Sequence, residues 1–95
     1  MTIPEICVDF NEIVEPDLVL LAKFDEVVDR YGAAIRLTVG MPIIVYCEDT
    51  DLAGRPDRLV ANGIAILNET GPAWTRAAKW CCRLDKDGIR HESEA

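Results

Sequence analysis

Residues 77–92 read AAKWCCRLDKDGIRHE, and they hold one of the chain's two tryptophans, two adjacent cysteines and its one histidine. Such a grouping could mark a reactive site or the closing strand of a β fold. In an extended chain Ala78, Trp80, Cys82 and Leu84 share one face, while Lys79, Cys81, Arg83 and Asp85 share the other. That two-residue alternation of apolar against mostly polar side chains predicts a strand, with Cys82 in the core and Cys81 facing water. The DKDG of residues 85–88 then makes a turn, and IRHES a short final edge strand.

The same alternation extends upstream. In GMPIIVYCED, residues 40–49, Ile43, Val45 and Cys47 fall on one face and Ile44, Tyr46 and Glu48 on the other, with β-branched residues favouring extended chain. In RLVANGIAILNE, residues 58–69, Val60, Ile64 and Ile66 point one way, and Asn62-Gly63 sits where a bulge or tight bend would fit. Residues 15–32, EPDLVLLAKFDEVVDRYG, admit two patterns. A helix would have Pro16 in its first turn and Gly32 as its stop. A strand would alternate Leu18, Leu20, Ala22 and Phe24 with Val19, Leu21 and Lys23, and is preferred because the neighbouring segments read as β. DEVVDRYG then becomes a long loop or hairpin.

Gly and Pro recur at intervals that suit short strands joined by turns. About five strands in a chain of 95 residues are most economically closed into one small, strongly bent antiparallel barrel, with a long loop or short helix near residues 25–36. The phrase LTVGMPIIVYCED resembles small SH3-like barrels, in which a turn feeds an apolar strand followed by an acidic loop. VDFNEI, GMPIIVYCEDTD, LVANGIAILN and KWCCRLDKDGIRHESE together resemble a group of short, uncharacterised bacterial proteins, including some encoded on integron gene cassettes. The resemblance implies a small β-rich fold and an accessory role; it carries over no catalytic residue.

Composition narrows the function classes. With 49% hydrophobic residues the chain can bury a modest core as a single domain spanning residues 1–95. Ten basic against seventeen acidic side chains give a formal charge of −7, without a basic cluster of the kind that neutralises phosphates or docks on anionic lipid. Neither nucleic acid nor membrane is an expected partner. The N-terminal MTIPEICVDF lacks a basic segment and an apolar signal stretch, so a cytoplasmic protein is expected, with Cys7, Cys47, Cys81 and Cys82 as thiols.

Chemical motifs are sparse. Cys81, Cys82 and His91 lie close in sequence, but neighbouring strand residues point apart and structural zinc sites favour paired spacings such as C-x-x-C. Cys81, between Lys79 and Arg83, has cationic neighbours that favour thiolate, making it the candidate reactive thiol. DTDLAGRPDRLV begins like a calcium loop but has Ala53 and Val60 where oxygen ligands are required. No catalytic set, metal or cofactor is expected.

Several strands have apolar residues on both faces, and a small barrel has one interior. The surplus set, Ile44 and Tyr46 with Val19 and Leu21, is expected either to be covered by the N-terminal IPEICVDF and the 25–36 segment or to form a contact patch, joined by Trp74 of the GPAWT loop. A non-enzymatic interaction module follows, working through an apolar patch with an acidic surround, its partner a second copy or another protein. The alternative is a small-molecule binder whose pocket, lined by Tyr46, Trp74 and Trp80, would favour a cationic ligand.

Overall fold

The computed structural model describes residues 3–50, 52–69 and 78–94. In chain order its strands are β1 (Glu5–Cys7), β2 (Ile13–Glu15), β3 (Leu18–Ala22), β4 (Glu26–Val28), β5 (Ala34–Arg36), β6 (Pro42–Cys47), β7 (Leu59–Leu67), β8 (Trp80–Leu84) and β9 (Arg90–His91), followed by a 3-10 turn at Glu92–Glu94. No helix among the described residues is long and apolar enough to cross a membrane.

The long strand β7 organises the main sheet. One of its edges pairs with β6 from Cys47↔Leu59 to Pro42↔Ile64; the other pairs with β8 over Gly63–Leu67 and with β9 at Leu59 and Val60. The DKDG segment therefore makes a short excursion on a shared edge, with Gly88 at φ 64° supplying its left-handed residue. From β8 the sheet continues to β3 and then β2, while β1 adds to β6 in parallel, giving the order β1-β6-β7-β8-β3-β2.

The mainly β expectation holds, and the details differ. Nine short strands replace about five, one pair is parallel, and among the described residues the pairing path does not close between β1 and β2. Residues 26–36 form the hairpin β4–β5, one of the two forms expected of DEVVDRYG, and neither an unpaired loop nor a short helix. Val27 packs against the core, and Asp29 Oδ1 secures the turn by accepting from the Tyr31 and Ala33 N–H groups, each at 2.9 Å. Between Asn62 and Gly63 the β6 register runs unbroken, so the expected bulge is absent. Glycine serves close approach instead: a Cβ at Gly63 would run into the Arg83 carbonyl oxygen and lie 2.6 Å from Cys82 Sγ.

The inward faces of β3, β6, β7 and β8 meet in one cluster that includes Val19, Leu21, Ile43, Val45, Ala61, Trp80 and Cys82. Ile6, Val8 and Phe10 cover it from the N-terminal segment, with Leu37 joining from beyond the hairpin. Coverage by the chain itself is thus the fate of Val19 and Leu21, which are core residues and not part of an outward patch. On the opposite face Leu18, Leu20 and Cys81 form a second buried cluster, against which Val14, Ile66 and Ala78 pack. β3 lies between β2 and β8, and a strand covered on both faces reads as a continuous apolar run, as LVLLA does.

Candidate functional site

The outer face of β6 brings together two of the contact residues named from sequence, Ile44 and Tyr46. Ile43 and Val45 are buried below the strand, leaving Ile44 and Tyr46 half-buried above it. Register partners share a face, so Ile44 is flanked by Glu5 and Asn62, and Tyr46 by Cys7 and Val60.

Two arginines bracket the Tyr46 ring. Arg30 Cζ lies 5.8 Å and Arg58 Cζ 5.3 Å from the ring centroid, both within cation–π range. Each cation is itself held by an acid: Arg30 Nη1 donates to Glu5 Oε1 at 2.9 Å, and Arg58 Nε lies 3.0 Å from Glu48 Oε1. Tyr31 completes the frame, with its hydroxyl donating to Glu5 Oε2 at 3.2 Å and its ring 5.3 Å from Arg30 Cζ. The β4–β5 hairpin is moored at this point, because the Arg30 N–H also donates to the Glu5 carbonyl. Burial pushes the Tyr46 hydroxyl above its ordinary range, so it remains a neutral phenol and hydrogen-bond donor.

The other residues named from sequence lie elsewhere. Val19 and Leu21 are in the core, and Trp74 lies outside the described residues. Cys81, expected to face water, is 0% exposed under the second cluster. Burial pushes its thiol up despite the lowering pull of Arg83, and Arg83 is tied at 3.1 Å to Glu15 and 2.9 Å to Asp17. Lys79, the other cation expected beside it, reaches Asp25 at 2.7 Å. Cys81 is therefore a packed apolar residue in place of an activated thiol. Trp80 is likewise buried on the face opposite Tyr46, with its Nε1 donating to Asp25 Oδ1 at 3.0 Å, so the two do not line one pocket.

Two features went unread in the sequence. Only the fold brings Arg30 and Arg58 to Tyr46; in the sequence, the two-residue spacing from Arg58 to Val60 is the local signal that Arg58 shares this face. Asp57 carries no sequence signal of its role either, yet it accepts from the Ser93 N–H at 3.1 Å and the Ser93 hydroxyl at 2.8 Å, with His91 Nδ1 at 3.5 Å. In a nucleophilic triad the serine bonds the imidazole. Here it bonds the carboxylate, which makes the group a clasp between the chain entering β7 and the C-terminal turn.

A cleft of about 420 Å³ is lined by Cys7, the register partner of Tyr46, and by Val8, Asp9, Glu12, Leu20 and Lys23 among others. The fold and face together define a small β-sheet domain with a tyrosine–arginine surface. Comparison with known proteins returns no match: no family model fits the chain, and no curated protein or solved structure is detectably similar to it.

Proposed function

We propose that this chain is a non-enzymatic interaction module that binds a protein partner through the outer face of β1, β6 and β7, centred on Ile44 and Tyr46. The observation that carries this reading is the bracketing of Tyr46 by Arg30 and Arg58, each fixed by a carboxylate. Tyrosine and arginine dominate binding energy at protein interfaces, and side chains already held in place lose less entropy when a partner arrives. Glu5 and Glu48 supply the acidic surround.

The test is selection of peptide binders from a displayed random library on the full chain, followed by site mapping. Binders that converge on this face, and that Tyr46→Ala or Ile44→Asp abolishes in a folded protein, support the reading. Binders indifferent to both substitutions overturn it. Light scattering across a concentration range identifies the partner class, since a self-associating face gives a mass that rises with concentration and is restored to monomer by Ile44→Asp.

The cleft favours a second reading, a binder of small cations. Its volume of about 420 Å³ falls within the range of ligand sites, and Asp9 and Glu12 line it beside apolar Leu20 and Leu21. A thermal-shift panel of hydrophobic amines checks this, because a bound ligand raises the melting temperature in proportion to the logarithm of its concentration over Kd.

A further inference from the structure

β7 carries the dipeptide Asn62-Gly63 in its middle, a place from which both residues are ordinarily depleted. The glycine has a structural reason: a Cβ there would meet the Arg83 carbonyl oxygen, so the approach of β7 to β8 demands it. The pair also has a chemistry of its own, since asparagine is among the chemically labile residues. A backbone nitrogen that follows asparagine can attack the side-chain amide carbon. A glycine nitrogen does so most readily, because no side chain obstructs it and its backbone turns freely. Asn11 and Asn68, the other asparagines, precede Glu12 and Glu69, whose side chains hinder that approach.

The sheet holds the reacting groups apart. Ala65 donates its N–H to the Met41 carbonyl, so the odd-numbered residues of β7 direct their main-chain groups toward β6, and Gly63, opposite Ile43, does the same. The Asn62 carbonyl turns the other way and accepts from the Asp85 N–H at 2.9 Å. The Gly63 nitrogen therefore lies in the plane of the sheet with its proton engaged. The Asn62 side chain stands out of that plane beside Ile44, on the interaction face. We propose that Asn62 is a deamidation site closed by the fold and opened by loss of the β7 pairing, and that its conversion disables the interaction face; the effect on the face rests on the interaction reading given above.

In the opened chain the Gly63 nitrogen gives up its proton and bonds to Asn62 Cγ, the Cγ–Nδ2 bond breaks, and the amide leaves as ammonia. Water then opens the cyclic imide. Cleavage between Cγ and the nitrogen gives aspartate; cleavage at the former main-chain carbonyl gives isoaspartate, with the backbone rerouted through Cγ. Water is consumed and ammonia released in equal amounts. Aspartate sets a carboxylate next to Ile44, which Glu5 already flanks on its other side, so a charge replaces a neutral group in the patch. Isoaspartate adds a carbon to the backbone of the strand that pairs with β6, β8 and β9, and puts those ladders out of step. A chain that has spent long enough unfolded thus returns with its contact surface altered for good.

The experiment ages the full chain at pH 8, folded in buffer or unfolded in guanidinium chloride, and follows the mass of the peptide that contains Asn62. Asp87-Gly88 can close the same ring but without a change of mass, so it does not enter the readout. In the unfolded chain Asn62 is expected to convert faster than Asn11 and Asn68. In the folded chain its conversion should slow by at least about a hundredfold, since a stable domain is open in fewer than about one molecule in a thousand. Equal rates in the two states, or an unfolded chain in which Asn62 converts no faster than the other asparagines, overturn the site. The effect on the face is read with peptides selected on the full chain. Asn62→Asp, shown to fold by circular dichroism, should bind them about tenfold more weakly, the scale of a misplaced interfacial charge, whereas the neutral Asn62→Ser binds as the unaltered chain does. Full affinity in Asn62→Asp overturns the effect on the face and leaves the gated site standing. Indifference of the same peptides to Tyr46→Ala shows instead that the face itself is misread.

Discussion

Cys81 and Cys82 are neighbours on β8 and point to opposite faces, yet both are 0% exposed. Burial pushes the Cys82 thiol up to about 12, and it raises Cys81 as well. At pH 8 a thiol with a pKa near 12 is ionised in only about one molecule in ten thousand, and the thiolate is the reactive form. Cys7 differs in kind: its thiol is also raised, first by burial and then by Cys47 and Glu48, but the residue is exposed. Alkylation of the native protein at pH 8 is therefore expected to modify Cys7 first, leaving Cys81 and Cys82 untouched until denaturant is added. Peptide mass mapping over time reads the order. Modification of Cys81 at the rate of Cys7 would mean that the second cluster does not seal β8, and would restore the case for a reactive thiol there.

At the level of elements, legibility follows strand length. β6, β7 and β8 span six, nine and five residues, enough for alternation to declare itself. β1, β2, β4 and β5 span three each, too few to show a period, and the parallel addition of β1 to β6 leaves no local mark. Alternation separates Leu18 and Leu20 from Val19 and Leu21 but cannot say which set faces the core when both are apolar, so the sequence leaves Val19 and Leu21 open between a covered position and a contact patch. Ile44 and Tyr46 were legible for the converse reason, since β6 runs on into Glu48 on the same face. Arg30 and Arg58 were not, because strand register alone gathers residues so far apart in sequence. Gly63 tests that register directly. It lies where β7 and β8 press together, with Leu84 as its partner. Gly63→Ala should destabilise the fold by about 1–3 kcal/mol in denaturant melts, the usual penalty of overpacking. A loss below about 0.5 kcal/mol would show that the strands separate freely and that the close approach constrains nothing.

The whole molecule is a sheet with two peripheral pieces fastened by aspartates. Asp25 holds the entry to the β4–β5 hairpin against β8 through Lys79 at 2.7 Å and Trp80 at 3.0 Å. Asp57 holds the C-terminal turn through the Ser93 hydroxyl at 2.8 Å. The Lys79 and then the Trp80 hydrogen bonds lower the Asp25 pKa, and the Ser93 hydroxyl does the same for Asp57. An acid whose pKa is lower folded than unfolded binds more protons in the unfolded chain. Its contribution is complete above the ordinary aspartate pKa of about 4 and is lost as pH falls through the lower folded value. Between pH 6 and pH 3 the unaltered chain should therefore lose more stability than an Asp25→Asn, Asp57→Asn double variant, which has no such linkage to lose. Denaturant midpoints at the two pH values give the comparison, and amide exchange locates it: protection should fall first in the hairpin and after His91, while β6 and β7 hold. Equal losses in the two proteins would place the acid sensitivity among the other carboxylates and leave the fastenings as geometry without energetic consequence. The ordering bears on the proposed interface, because Arg30 reaches Tyr46 from the hairpin and β9, the strand that leads to the clasp, pairs with β7 at Val60, the partner of Tyr46. A face assembled from the sheet and both fastened pieces should weaken with them, so peptide affinity should decline over the same pH range in which the pieces loosen.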